Sequence, residues 1–268
     1  MIDRNRNLLS TARCKQGVVA VCTVLAALTG NAALAQAAAA STAAVTEMDS
    51  KAVDALKNMG AYLRTLKTFS VHADTSKDEV LRTEQKIQFT STVTIKAKLP
   101  SQLKIDLNSD RKQREIFFDG KTFTQYAPRM KYYGSVAAPG TIEDVIKVAS
   151  DKFGLDVPLA DLFYWGTEQS GLADITGAMN LGAEHVAGVA CTHYAFRQPG
   201  VDWQIWIESG KAPLPRKIVI TTLDEPSQPQ YMAVLTWDLK TKLNDKTFSY
   251  VPSKGAQKIE FAPNAAAQ

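Results

Sequence analysis

The chain has 268 residues, 45% hydrophobic and 22% charged, with a formal net charge of +4 and three cysteines. That balance excludes a disordered chain and a disulfide scaffold, and leaves room for one large β domain or two small ones. The charge excess sits at the start, where Arg4, Arg6, Arg13 and Lys15 against Asp3 make +3, so the remainder carries about +1 and no basic surface for nucleic acid or an anionic membrane.

An uncharged run from Gly17 to Thr29 follows those cations, then Ala33-Leu34-Ala35, a small-x-small cleavage signature. This is the order of a secretory signal peptide over residues 1–35. The run is too short to span a membrane comfortably. Val19-Ala20-Val21-Cys22 does not make a lipidation box, because Val21 is bulky and Cys22 lies inside the apolar run. Cleavage removes Cys14 and Cys22 and leaves Cys191 alone, so no intrachain disulfide can form. The expected location is the periplasm, with no transmembrane segment after cleavage. Residues 36–45 read as a flexible leader remnant, 46–262 as a single domain and 263–268 as a disordered tail.

Thr46-Glu47-Met48-Asp49 fits a capping box. Val53, Leu56, Met59, Leu63 and Leu66 then recur at steps of three and four, an amphipathic helix. Phe69 to Thr75 is a strand candidate. From Lys86 to Leu99 the parity is strict: Ile87, Phe89, Val93, Ile95, Ala97 and Leu99 share one face, and Gln88, Thr90, Thr92, Thr94, Lys96 and Lys98 the other. A period of two over that length predicts a long strand with one apolar face, which needs a large sheet and an apolar cover. Leu103, Ile105 and Leu107 continue the alternation. Asp119-Gly120 marks a hairpin between Ile116-Phe117-Phe118 and Thr122 to Tyr126, and Met130 to Val136 is a further strand.

The pattern then changes. Pro139-Gly140 breaks the strands, and Thr141 with Asp144 caps a helix whose stripe is Ile142, Val145, Ile146, Ala149 and Phe153. Gly154 can end it, and Pro158 suits the first turn of a short apolar helix ending at Gly166. Residues 141–166 are thus a candidate lid. Gly171 to Gly182 is loop-like. Strands resume at 189–197, 201–208, 216–222 and 230–239, and a last pair is expected through Phe248-Ser249-Tyr250 and Ile259-Glu260-Phe261. The predicted fold class is mainly β with helices (α+β): a curled antiparallel sheet forming a half-open barrel with a helical plug or lid.

Catalytic signals are weak. Cys191, His193 and His185 lack a fourth ligand at recognised metal spacing, and Cys191 lacks an orienting group for nucleophilic chemistry. Asp202 with Glu208, and Asp224 with Glu225, read as surface or turn acids. There is no phosphate-cradling glycine loop and no Gly-x-Ser-x-Gly elbow. No catalytic residue, metal or cofactor is assigned, and the chain is not read as an enzyme. The aromatics remain, with Tyr126 among them. Phe89, Phe118, Phe123, Phe163, Trp165, Trp203, Ile205, Leu235 and Trp237 are the candidate lining of an apolar ligand cavity.

Leu99-Pro100-Ser101-Gln102-Leu103-Lys104 and Phe118-Asp119-Gly120-Lys121-Thr122-Phe123-Thr124-Gln125-Tyr126-Ala127-Pro128 resemble the lipoprotein-localisation carrier superfamily (LolA/LolB-like), as does the closing Phe248-Ser249-Tyr250-Val251-Pro252. Val201 to Glu208 and Leu214 to Ile220 are similar to an uncharacterised family of predicted periplasmic proteins thought to share that fold. The resemblance covers most of residues 50–262. It implies a half-open barrel with a helical plug over a cavity that takes acyl chains. Neither a lipoprotein-hooking basic residue nor a lipidated acceptor cysteine can be placed. The implied function is therefore a soluble periplasmic carrier or binding protein for a lipid, acylated protein or similar amphiphile. The alternative is an envelope sensor or protein-interaction module with an envelope partner.

Overall fold

A computed structural model describes residues 48–264. The expected signal peptide, the leader remnant, Thr46-Glu47 of the capping box and the last four residues of the tail lie outside the described residues. Helix α1 (Ser50–Thr65) buries Ala52, Leu56, Met59, Gly60 and Leu63, so the predicted stripe faces the core. Its N-cap is Asp49, whose Oδ1 accepts the Lys51 N–H at 2.8 Å. Met48 instead forms a parallel bridge with Ala178.

Strands follow: β1 (Thr68–Val80), β2 (Lys86–Lys98), β3 (Gln102–Asn108), β4 (Gln113–Phe118), β5 (Thr122–Ala127) and β6 (Tyr132–Ala137). The Asp119-Gly120 hairpin joins β4 to β5 as expected, with Asp119 Oδ1 accepting the N–H groups of Lys121 and Thr122. Helix α2 (Ile142–Phe153) carries a full capping box: Thr141 Oγ accepts from the Asp144 N–H, and Asp144 accepts from the Thr141 N–H. Gly154, at φ 61°, ends it. Helix α3 (Asp161–Tyr164) is a single turn. Then come β7 (Gly177–Val186), β8 (Val189–Gln198), β9 (Val201–Glu208), β10 (Pro215–Thr222), β11 (Gln230–Asp238) and β12 (Gln257–Lys258).

The described strands form one twelve-stranded sheet in the order β12-β6-β5-β4-β3-β2-β1-β11-β10-β9-β8-β7. Neighbours are antiparallel, except that β12 runs parallel to β6. β1 lies mid-sheet and joins the two halves, paired with β2 along its whole length and with β11 from Ser70↔Asp238 to Lys77↔Tyr231. The edge strands do not meet, so the sheet stays open. Its curl shows in what the helices touch. α1 lies against β7 at one edge, and its Arg64 reaches Glu143 of α2. Phe153 of α2 packs on Phe261, which also packs on Phe123 of β5 near the other edge. One helical layer thus spans the concave side, which is the predicted fold class.

Two expectations are corrected. The stretch read as loop, 171–182, contains most of β7. This edge strand is exposed along most of its length, so it has no apolar alternation to betray it. The expected closing strand pair is a 3-10 turn at Asp245–Phe248 and the two-residue β12. Phe248 is fully buried, and Tyr250 packs against Phe117, Tyr126 and Tyr133, so aromatic contacts rather than ladder bonds hold this segment. Beyond it the Asn264 N–H donates to the Lys152 carbonyl at 2.7 Å.

Gly60 allows the closest approach between α1 and the end of α3. A methyl group there would lie 2.5 Å from the Gly166 backbone nitrogen. Alanine is the better helix former by about 1 kcal/mol. The clash is with backbone, however, and overpacking of that kind costs about 1–3 kcal/mol. Gly60→Ala should therefore lower stability in denaturant melts, against the helix-propensity trend.

Candidate functional site

The inner face of the central strands changes character along its length. On β2, Val93, Ile95 and Ala97 are buried, whereas Ile87 and Phe89 are only half-buried. On β1, inward Phe69, Val71 and Ala73 give way to Thr75, Lys77 and Glu79. One end of the concavity is filled by α1. The other end is a cavity of about 440 Å³.

Phe89, Val93, Leu107, Ile218 and Ile220 form its apolar floor, with Thr75, Ser91 and Tyr231 as polar points. Thr75 Oγ1 and Ser91 Oγ satisfy each other at 2.7 Å. Asp156 to Leu162 and Trp165 form the roof, and the β3–β4 loop 109–112 forms a rim. The roof belongs to the stretch expected to be a lid. Its backbone is unusual at Leu159, which has φ 56°, a conformation L-residues seldom adopt.

Arg64, from the last turn of α1, holds the roof. Its Nη1 donates to Glu143 Oε1 at 2.8 Å and to the Phe163 carbonyl at 3.0 Å, and its Nη2 to the Leu162 carbonyl at 3.0 Å. One guanidinium thus ties three helices and satisfies carbonyls that a one-turn helix leaves unpaired. Phe163 adds an apolar anchor, stacked 6.3 Å from Phe69.

The roof also carries two carboxyls. Burial, and then the neighbouring Asp156, push Asp161 up to about 6. Burial, Asp156 and Asp161 likewise raise Tyr231 above its ordinary range, and Tyr164 is pushed up to about 12, mainly by burial and then by Asp161. Asp156, Asp161 and Tyr231 line the cavity, and the two carboxylates disfavour negative charge on one another and on Tyr231, as Asp161 does on Tyr164.

Of the residues singled out in the sequence, Phe89 and Trp165 line the cavity. Phe163 is fully buried behind the roof. Trp203, Ile205 and Leu235 lie in the main core. Trp203 is stacked 4.5 Å from Phe196, with its Nε1 donating to Gln198 Oε1 at 2.9 Å. Phe118 and Phe123 are buried in β4 and β5. Trp237 is half-buried beside Phe69 and donates to the Pro215 carbonyl at 2.8 Å. Leu107, Ile218, Ile220, Tyr231 and the roof acids were not in the candidate lining. Ile218 and Ile220 do share an apolar parity, but their depth along the strand depends on register.

The residues weighed for chemistry lie elsewhere. His193 is stacked on Trp206, ring centroids 3.8 Å apart, and Cys191 is buried in the same small cluster, where burial pushes its thiol up. Asp202 is held by Arg197 and Glu208 by Arg216. Among the described residues no group of three His, Cys, Asp or Glu is placed to hold a metal.

Arg64→Ala removes charge-assisted bonds worth about 1.5–3 kcal/mol. Its expected signature is local: faster amide hydrogen exchange at Leu162 to Trp165, with the central strands still protected. Asp161 gives a pH signature. Below about pH 4 it is protonated both folded and unfolded. Between about pH 4 and pH 6 it stays protonated in the fold while the unfolded chain ionises, so stability falls as pH rises through that window and is flat above it. Asp161→Asn should gain stability relative to the wild type between about pH 4.5 and pH 7, read from denaturation midpoints.

Solved structures similar to this chain are distant from it. An uncharacterized conserved protein from Thermus thermophilus has a TM-score of 0.45 at 12% identity, covering 78% of this chain and 99% of its own. The lipoprotein LppX of Mycobacterium tuberculosis has a TM-score of 0.45 at 11% identity, covering 73% and 100%. A LolA superfamily protein from Nitrosomonas europaea has a TM-score of 0.37 at 10% identity, covering 74% and 97%. No curated protein sequence matches the chain. Among the described residues no helix is long and apolar enough to cross a membrane. The profile of one family spans residues 52–262, nearly the whole described domain, and the chain belongs to that family, the predicted periplasmic proteins DUF2092, in agreement with the expected periplasmic location.

Proposed function

We propose that the protein is a periplasmic carrier or binding protein that holds a lipid, an acylated protein or a similar amphiphile in the roofed cavity. The observation that carries this reading is the hollow itself. About 440 Å³ lies between the inner face of the sheet and the roof, walled by Phe89, Val93, Leu107, Leu159, Trp165, Ile218 and Ile220. That volume falls within the ~300–1,000 Å³ typical of small-molecule sites. Burying a methylene is worth about 0.8 kcal/mol, so ten of them would supply on the order of 8 kcal/mol before ordering costs, with no catalytic group required.

The roof supports loading. It is a short segment, fastened at one end by Arg64 and Phe163 and joined at the other to α2, which is itself anchored at its start, where the Ile142 N–H donates to the Pro100 carbonyl at 2.9 Å. Release of a few bonds would expose the hollow without dismantling the sheet.

Protein purified from the periplasm should carry lipid visible by native mass spectrometry. After delipidation it should bind dodecanol in isothermal calorimetry. Leu107→Asp places a charge in the half-buried wall and should weaken that binding at least tenfold, on the order of 1.4 kcal/mol, while leaving the fold intact by circular dichroism. Lipid-free protein that also ignores dodecanol would end the proposal.

A further inference from the structure

We propose that Arg111 is the head-group receptor of this cavity, and that the amphiphile it takes carries an anionic head, a carboxylate or a phosphate. The inference rests on the cavity reading above and concerns only what sits at the rim. Arg111 lines the cavity from the β3–β4 loop, with its guanidinium 4.2 Å from the centre of the Phe89 ring. Stacking occupies the flat face of the cation and leaves its in-plane N–H donors for a ligand.

Among the described residues those donors are not taken. Arg64, Arg197 and Arg216 each direct theirs at a carboxylate, of Glu143, Asp202 and Glu208 respectively. Among the described residues no carboxylate or carbonyl does this for Arg111. The loop that presents it is itself held. The Ser109 N–H donates to the Lys112 carbonyl at 2.9 Å, the Lys112 N–H to Ser109 Oγ at 2.9 Å, and the Arg129 guanidinium to the carbonyls of Ser109 and Asp110. A cation is thus positioned in advance where the apolar wall meets water, which is where the head of a tail-buried amphiphile must lie.

Glu79, Asp110, Asp156 and Asp161 also line the cavity, against Lys77, Arg111 and Lys112. The summed field therefore does not draw anions in. Selection has to be short-range and geometric, through the paired N–H bonds that a guanidinium makes to a carboxylate or phosphate. A lysine at position 111 would keep the charge and lose that geometry.

The test uses four ligands with one tail: laurate, dodecyl phosphate, dodecanol and dodecylamine, titrated calorimetrically into delipidated protein at about pH 7.5. Laurate or dodecyl phosphate should bind at least tenfold tighter than dodecanol. The tighter of the two distinguishes a fatty acid from a phospholipid head. Arg111→Gln should bring laurate and dodecyl phosphate to the affinity that the same variant shows for dodecanol, and Arg111→Lys should lose most of the preference. Equal binding of acid and alcohol, a preference that survives Arg111→Gln, or tightest binding of dodecylamine would each overturn the assignment while leaving the cavity reading in place. Binding of none of the four overturns both.

Discussion

A sheet that curls without closing encloses more volume than its own inward side chains fill, and this structure follows from how that volume is divided. β1 and β2 are paired along their whole length, and each presents a continuous inner row. At one end of those rows Phe69, Val71, Val93, Ile95 and Ala97 belong to the same buried core as the stripe of α1. At the other end the chain supplies only a connector and a one-turn helix as cover. Four residues of helix reach the sheet through Phe163, which stacks on Phe69 at the filled end, and leave the far end uncovered. The hollow is thus a consequence of cover length, and β1 adapts to it by turning polar inward at Thr75, Lys77 and Glu79.

The same economy explains Arg64. A single-turn helix has no stability of its own, since its nucleus costs more than one turn of bonds returns. Its carbonyls need outside donors, and Leu162 and Phe163 find them in a side chain from α1. Because that side chain also pairs with Glu143, the roof, the preceding helix and the first helix share one charged junction. Gly60 and Gly166 meet backbone to backbone close by, and that contact needs both residues to lack a side chain.

Much of this was legible in the sequence. Parity alone located the long strand, and Thr141, Asp144 and Gly154 bounded α2 correctly, because these signals are local. The Asp119-Gly120 hairpin was equally plain. β7 was not, since an exposed edge strand carries no alternation to read. Phe248 and Tyr250 looked like strand because aromatic residues favour strands, yet here they serve as packing groups. The candidate lining was the least legible part. Phe89 and Trp203 lie on inward rows of the same sheet, and periodicity cannot distinguish them. What separates a wall residue from a core residue is depth along the strand, set by cross-strand register and by where the helical cover ends. Arg111 carried no signal at all, for a loop cation becomes notable only once the ring beneath it is known.

The polar groups around the hollow bear on what kind of container it is. A sealed core would not collect Lys77, Glu79, Asp156 and Asp161 beside Phe89 and Trp165. Buried without water, such groups would be costly, as the raised Asp161 already indicates. Water admitted to the hollow would hydrate them and leave the apolar wall unsatisfied. On the proposed function, a hydrocarbon tail entering this space would gain by covering that wall and lose by drying the roof acids. The two effects oppose each other, so the net grip is weaker than the apolar area alone would give. A permanent structural lipid would favour a uniformly dry chamber. The proposed carrier role fits the other kind of chamber, whose walls would hold a compound and whose roof would be easier to rehydrate.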